Sequence, residues 1–81
     1  KTAIIRYAKN GKKTAQFTVD GTPDCVAISG GKIAVSGGSD ITVFTSTGNE
    51  SKTIEAEHAV TDIFWCSGTL YTVENGSVCK Y

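Results

Sequence analysis

Methionine is absent from the chain, proline, histidine and tryptophan occur once each, and the formal charges cancel. Each shortage closes off a class of function. Eight basic and eight acidic residues are spread along the 81 positions, so the sequence forms no basic patch of the kind that nucleic acid or an anionic lipid surface requires. The longest uncharged apolar run, Ile63 to Cys66, is far short of the roughly 20 residues that span a bilayer. No leader pattern is visible at the start. Cys25, Cys66 and Cys79 are odd in number and contain no C-x-x-C pair, which rules out a full disulfide framework and zinc-type spacing. They read as small buried apolar residues in a reducing, cytoplasmic compartment. Two Asn-x-Ser triplets, at Asn49 and Asn75, are turn signals first and glycosylation acceptors second. With no methionine, a start at Lys1 and a stop at Tyr81 inside an apparent strand, the chain is expected to be a piece of something longer or a processed product.

What the sequence does contain is a repeat. Tyr7, Phe44 and Tyr81 are evenly spaced by 37 residues. The same offset aligns Ile4 with Ile41 and Val78, Gly11 with Gly48, Phe17 with Ile54, Val26 with Ile63, Ile28 with Trp65, and Ile33 with Leu70, without a gap. Identities are few, so the shared feature is a pattern of apolar and turn positions. No window has a helical period, and β-branched residues dominate.

One period reads as four short strands. "CVAIS" and "DIFWCS" are apolar on both faces, as in a strand enclosed between sheets. They lead through Gly-containing turns to "KIAVS" and "TLYTV", and then through Gly37–Asp40 or Glu74–Ser77 to "ITVF" and "VCKY". The fourth strand, "TAQFTV" or "KTIEAE", is the most polar and suits a sheet edge. An all-β fold of antiparallel four-stranded propeller blades follows from this reading. About two blades are present in one partial propeller spanning 1–81. Residues 2–19 form the outer strands of one blade, 25–56 a complete blade, and 62–81 the first three strands of the next.

The stretches "CVAIS-GGKIAVSGGSDITVF" and "HAVTDIFWCSGTLYTVENGSVCKY" resemble the WD-repeat propellers. The Trp-Asp pair itself is missing, its place taken by Tyr7-Ala8 and Phe44-Thr45. The resemblance implies that a loop histidine and a tight-turn aspartate brace each blade. His58 and Asp40 match those positions but lie in different blades. The partner of Asp40 falls at Gly21 and that of His58 at Glu74 to Ser77, so an incomplete network is expected. A weaker resemblance, through "VAIS…IAVSGGSDITVF", is to the actin-interacting propellers that assist cofilin, and it implies actin or cofilin as partners.

Chemistry is sparse. His58 has only Glu57 and Asp62 nearby in sequence and reads as a bracing group, and the Gly30-Gly31 and Gly37-Gly38 pairs precede no helix that could cradle phosphate. Lys9, Lys12 and Lys13 cluster on one hairpin tip, and Trp65 reads as core between adjacent blades. Asp20, Asp24, Asp40, Glu57, His58 and Glu74 all fall in or beside loops that a propeller gathers at one end, which predicts an acidic binding face there. The expected function is a non-catalytic protein–protein interaction scaffold with no cofactor and no metal. An enzyme or sugar-binding propeller is the alternative, disfavoured by the single histidine and by acids that do not recur around the repeat. An isolated segment leaves open faces carrying Phe64, Trp65 and Ile28, so self-association or the remainder of a longer chain is expected to complete a ring.

Overall fold

The computed structural model describes residues 2–19 and 21–81. It is all-β, and none of its elements is a helix long and apolar enough to cross a membrane. Among the described residues nine strands form three antiparallel sheets in chain order. The first sheet pairs β1 (Thr2–Tyr7) with β2 (Lys13–Val19). The second is a meander of β3 (Cys25–Ser29), β4 (Lys32–Gly37), β5 (Asp40–Thr45) and β6 (Glu50–Glu55). The third contains β7 (Val60–Cys66), β8 (Thr69–Glu74) and β9 (Ser77–Lys80). Among the described residues no sheet closes on itself.

The 37-residue period reaches the backbone. β4 and β8 begin and end one period apart. The pairing of β1 with β2 slips between Arg6 and Tyr7, and that of β5 with β6 slips between Val43 and Phe44, at the same offset. A β-bulge bends its strand and increases the local twist, so both outer hairpins turn in the same way. The left-handed turn residues recur too: Gly11 with Gly48, Gly30 with Ser67, and Gly38 with Asn75.

Two strands shift from the sequence reading. β6 starts and stops two residues earlier than "KTIEAE", because beyond Glu55 the Ala56 amide donates to Ser39 O at 2.8 Å across the neighbouring turn. β7 begins at Val60, where the amide donates to Gly38 O at 2.9 Å, and a bulge before Asp62 absorbs the extra length.

The middle sheet is covered on both faces. Strand alternation sends Ile33, Val35 and Phe44 toward Ile4, Phe17 and Val19 of the first sheet. It sends Ala34, Ile41 and Val43 the other way, into a cluster with Val60, Ile63 and Leu70 of the third. At the first junction the rings of Phe17 and Phe44 lie 4.5 Å apart at 39°, a tilted arrangement that aromatic pairs favour. At the second, β3 runs beside β7, and the Trp65 indole N–H donates to Ala27 O at 3.2 Å. Lys32 Nζ stands 5.7 Å from the Trp65 ring centre, so the half-buried indole also receives a cation on its face. Trp65 therefore belongs to the junction between sheets and not to an open face. Ile28 and Phe64 do lie on open faces, at 55% and 39% exposure.

Gly48 carries a local demand that Gly11 does not. Both have positive φ, +95° and +86°. A Cβ on Gly48 would stand 2.9 Å from Phe17 Cδ1 and 3.1 Å from its Cβ and Cγ, whereas nothing lies within 4 Å of one on Gly11. Gly11→Ala is expected to cost about 1 kcal/mol, the backbone strain alone. Gly48→Ala adds roughly 1–3 kcal/mol of overpacking against the Phe17–Phe44 pair. Urea unfolding of the two variants checks the difference, which should be absent if the ring were free to move aside.

Candidate functional site

In a meander, successive connections alternate between the two ends of the sheet. The links β2–β3, β4–β5, β6–β7 and β8–β9 therefore share one end, and hydrogen bonds to the β4–β5 turn tie the first three together. Asp24 N donates to Ser36 O at 2.7 Å, and the Asp24 carboxylate accepts from Gly38 N at 2.9 Å. The amides of Ala56 and Val60 reach the same β4–β5 turn from the next loop.

This end holds most of the predicted site residues. Asp24 is exposed but committed to the Gly38 amide. Asp40 opens β5 and is exposed, opposite Glu55 in the ladder. Glu57 and His58 are exposed on the β6–β7 loop. Asp20 lies outside the described residues. Glu74 departs from the expectation of a loop-face group: it is the last residue of β8 and only 2% exposed.

The Glu74 carboxylate is the centre of a small polar cluster. It accepts hydrogen bonds from the Thr72 hydroxyl and, at 2.7 Å, from the Tyr81 hydroxyl, while the His58 backbone amide approaches from the loop above. Thr72 and Glu74 are on the same face of β8, two residues apart, and the Tyr81 amide donates to Leu70 O to hold the aromatic in place. The Thr72 hydrogen bond leads the causes that hold the Glu74 carboxyl below the ordinary carboxylate range, against the burial that opposes ionisation. The same carboxylate, accepting the phenolic proton, helps push Tyr81 up to about 12, so Tyr81 remains a donor at neutral pH. Burial first and the Glu74 charge second push the Cys79 thiol up.

The brace expected between a loop histidine and a turn aspartate is thus built differently. In the middle sheet Asp24 holds the turn amide. In the third sheet Glu74 takes the loop through the His58 backbone, and the imidazole stays exposed. One period earlier, Thr72, Glu74, Cys79 and Tyr81 correspond to Val35, Gly37, Thr42 and Phe44. There the carboxylate is missing, and a groove of about 440 Å³ opens beside Gly37, with Asp40, Thr42 and Phe44 on its wall.

Sequence reading missed the turn-holding role of Asp24 and the commitment of Glu74 to Tyr81. The offset that lays Glu74 on Gly37 was the available signal for an inserted side chain. One loop acid does recur: Glu57 stands one period after Asp20.

The charges that cancel in sum are separated in space. Asp24, Asp40, Glu55, Glu57 and Asp62 lie at or near the end described above, whereas Arg6, Lys9, Lys12, Lys13, Lys32 and Lys80 lie toward the other, with Glu50 the one exposed acid among them and Lys52 partway along β6. Among the described residues no group of three or more histidine, cysteine or acidic side chains is placed to hold a metal ion. Comparison with known proteins finds no matching family model and no significant match among curated proteins or solved structures.

Glu74 is predicted to make stability depend on pH in one direction. Its native pKa lies below the ordinary value, so its contribution is complete above that value and is lost as pH falls through the native pKa. Glu74→Gln is expected to cost roughly 2 kcal/mol at neutral pH, the scale of a hydrogen-bonded buried charge. Urea midpoints for the two proteins should differ by a constant amount above about pH 5 and converge on acidification below the ordinary glutamate pKa of about 4.3. A gap that persists in acid would place the loss in packing.

Proposed function

We propose that the chain is a segment of a WD-repeat-like β-propeller and serves as a non-catalytic scaffold in the cytoplasm, holding a protein partner against its acidic loop end. The observation that carries this reading is the separation of charge along the strand axis. Loops cross-tied by backbone hydrogen bonds present Asp40 and Glu57 to solvent on a rigid support. Such a surface attracts a basic partner and fixes its orientation, and it asks for no reacting group. The propeller assignment draws on the recurrence of strands, bulges and turn geometry at one 37-residue period. Three free thiols suit a reducing compartment. The exposed position of His58, whose backbone and not its ring is engaged by Glu74, suits a structural loop better than a catalytic one.

Titration with a short oligolysine peptide tests the docking face. Reversing both exposed acids, Asp40→Lys with Glu57→Lys, is expected to weaken binding by roughly tenfold at low ionic strength and less in salt. Lys9→Glu with Lys12→Glu, at the opposite end, should leave it intact or tighten it. Binding that survives reversal of the two acids would remove the loop end from the proposal. Co-sedimentation with filamentous actin, with and without cofilin, checks the narrower partner assignment.

A further inference from the structure

The groove of about 440 Å³ beside Gly37 has a frame that is internal to the fold. The β2–β3 link carries the chain from the first sheet to the second and passes close over Gly37. A Cβ there would stand 3.4 Å from Thr22 O and 3.8 Å from Pro23 Cα. Beyond Pro23 the link is pinned, because Asp24 N donates to Ser36 O and the Asp24 carboxylate accepts from Gly38 N. One wall, with Val19 and Pro23, is therefore held in place, and the other is the face of β4, β5 and β6. In the third sheet the buried side chain of Glu74 occupies the corresponding position, one period on.

Alternation along β5 puts Asp40, Thr42 and Phe44 on this face. Across the ladder Thr53 stands opposite Thr42 and Glu50 opposite Phe44, and both line the groove. The lining is graded. Val35 and Phe44, 5% and 7% exposed, form an apolar floor, the hydroxyls of Thr42 and Thr53 lie beside it, and a carboxylate stands at each end. Asp40 and Phe44 are four residues apart in β5. At about 3.4 Å per residue, the positions bearing the two carboxylates are about 14 Å apart along the strand.

Both carboxylates are placed to receive a cation. Glu50 is the one exposed acid among the lysines of its end, and the Thr53 hydroxyl donates to its Oε1 at 2.8 Å. That bond holds the carboxylate beside the groove and leaves Oε2 to accept from a ligand. Asp40 faces Glu55 directly across the β5–β6 ladder. Like charges so opposed repel, and a cation at that end relieves the repulsion.

We propose that the groove binds a linear aliphatic diammonium, the chemical class of the polyamines. One ammonium sits on Asp40, the other on Glu50, and the methylene chain lies along Val35 and Phe44. The lone pairs of Thr42 and Thr53 accept from an internal ammonium where the ligand has one. A monoamine reaches only one carboxylate, and a bare metal ion is too compact to reach both. The site stands without the propeller reading and shares Asp40 alone with the docking face.

Calorimetric titration of the chain with octamethylenediamine, and with octylamine as its one-charge counterpart, tests the site. At low ionic strength the diamine is expected to bind at least about fivefold more tightly than octylamine and to lose that advantage in salt. Glu50→Gln and Asp40→Asn should each bring the diamine down to the affinity of the monoamine. Glu57→Gln, on the loop end outside the groove, should leave the diamine's advantage intact. If a groove variant does not fold, the two amines on the unaltered chain decide alone. Equal affinities for the two amines, no binding of either, or an advantage that persists in Glu50→Gln overturns the site. A loss in Glu57→Gln as large as that in Glu50→Gln also overturns it, by assigning the binding to a diffuse acidic surface. The oligolysine titration judges the docking face independently.

Discussion

Everything in this fold depends on covering the second sheet on both sides. A four-stranded sheet with apolar residues at alternate and intervening positions has no wet face to offer. Ile33, Val35 and Phe44 demand one neighbour, and Ala34, Ile41 and Val43 demand another. Ala27 and Ala34 on the second face allow close approach, and they sit in the cluster with the larger Ile63, Leu70 and Trp65 from the third sheet. On the first face large residues meet large ones, with Phe44 against Phe17. The domain is therefore a stack read in one direction, with unlike front and rear surfaces at each junction. That directionality is also why its ends are unlike each other.

The two junctions solve one geometric problem with opposite chemistry. At the spot where β8 ends, the third sheet inserts a carboxylate and surrounds it with a threonine, a tyrosine and a backbone amide. At the equivalent spot on β4, Gly37 and Val35 leave a groove. Each arrangement is consistent within itself. A buried carboxylate without its donors would be costly, and those donors without a carboxylate would be unsatisfied. The cluster is favourable only as a whole, so its residues differ together from Val35, Gly37, Thr42 and Phe44 one period earlier.

Much of the fold was legible because it rests on period. Alternation identified the strands, glycine and asparagine marked the turns, and the 37-residue offset grouped them into sheets. Strand ends were less legible: β6 and β7 are set by amides of Ala56 and Val60 reaching across to a neighbouring turn, a long-range contact that no local pattern encodes. The site was legible only in part. Asp40 and Glu57 fell where the loop positions put them. Glu74 did not, because an acid at a strand end is ordinarily solvated, and its burial depends on Thr72, Tyr81 and the His58 backbone arriving together. Trp65 lies between sheets as its apolar setting in the sequence suggested, whereas its hydrogen bond to Ala27 O, 38 residues away, is a long-range contact of the kind no local pattern encodes.

Net charge misled in a more instructive way. A sum of zero excludes a uniformly charged molecule, and it says nothing of how the charges are distributed. Antiparallel strands convert sequence position into spatial end: each connection faces opposite to the one before it. Acids clustered around alternate connections, and lysines around the others, become a separation of charge about one strand length long. The neutral chain carries an acidic end and a basic end, set apart by sheets whose spacing neither end can alter. Salt should therefore weaken the docking of a charged partner at either end, a dependence that follows from the alternation of strands.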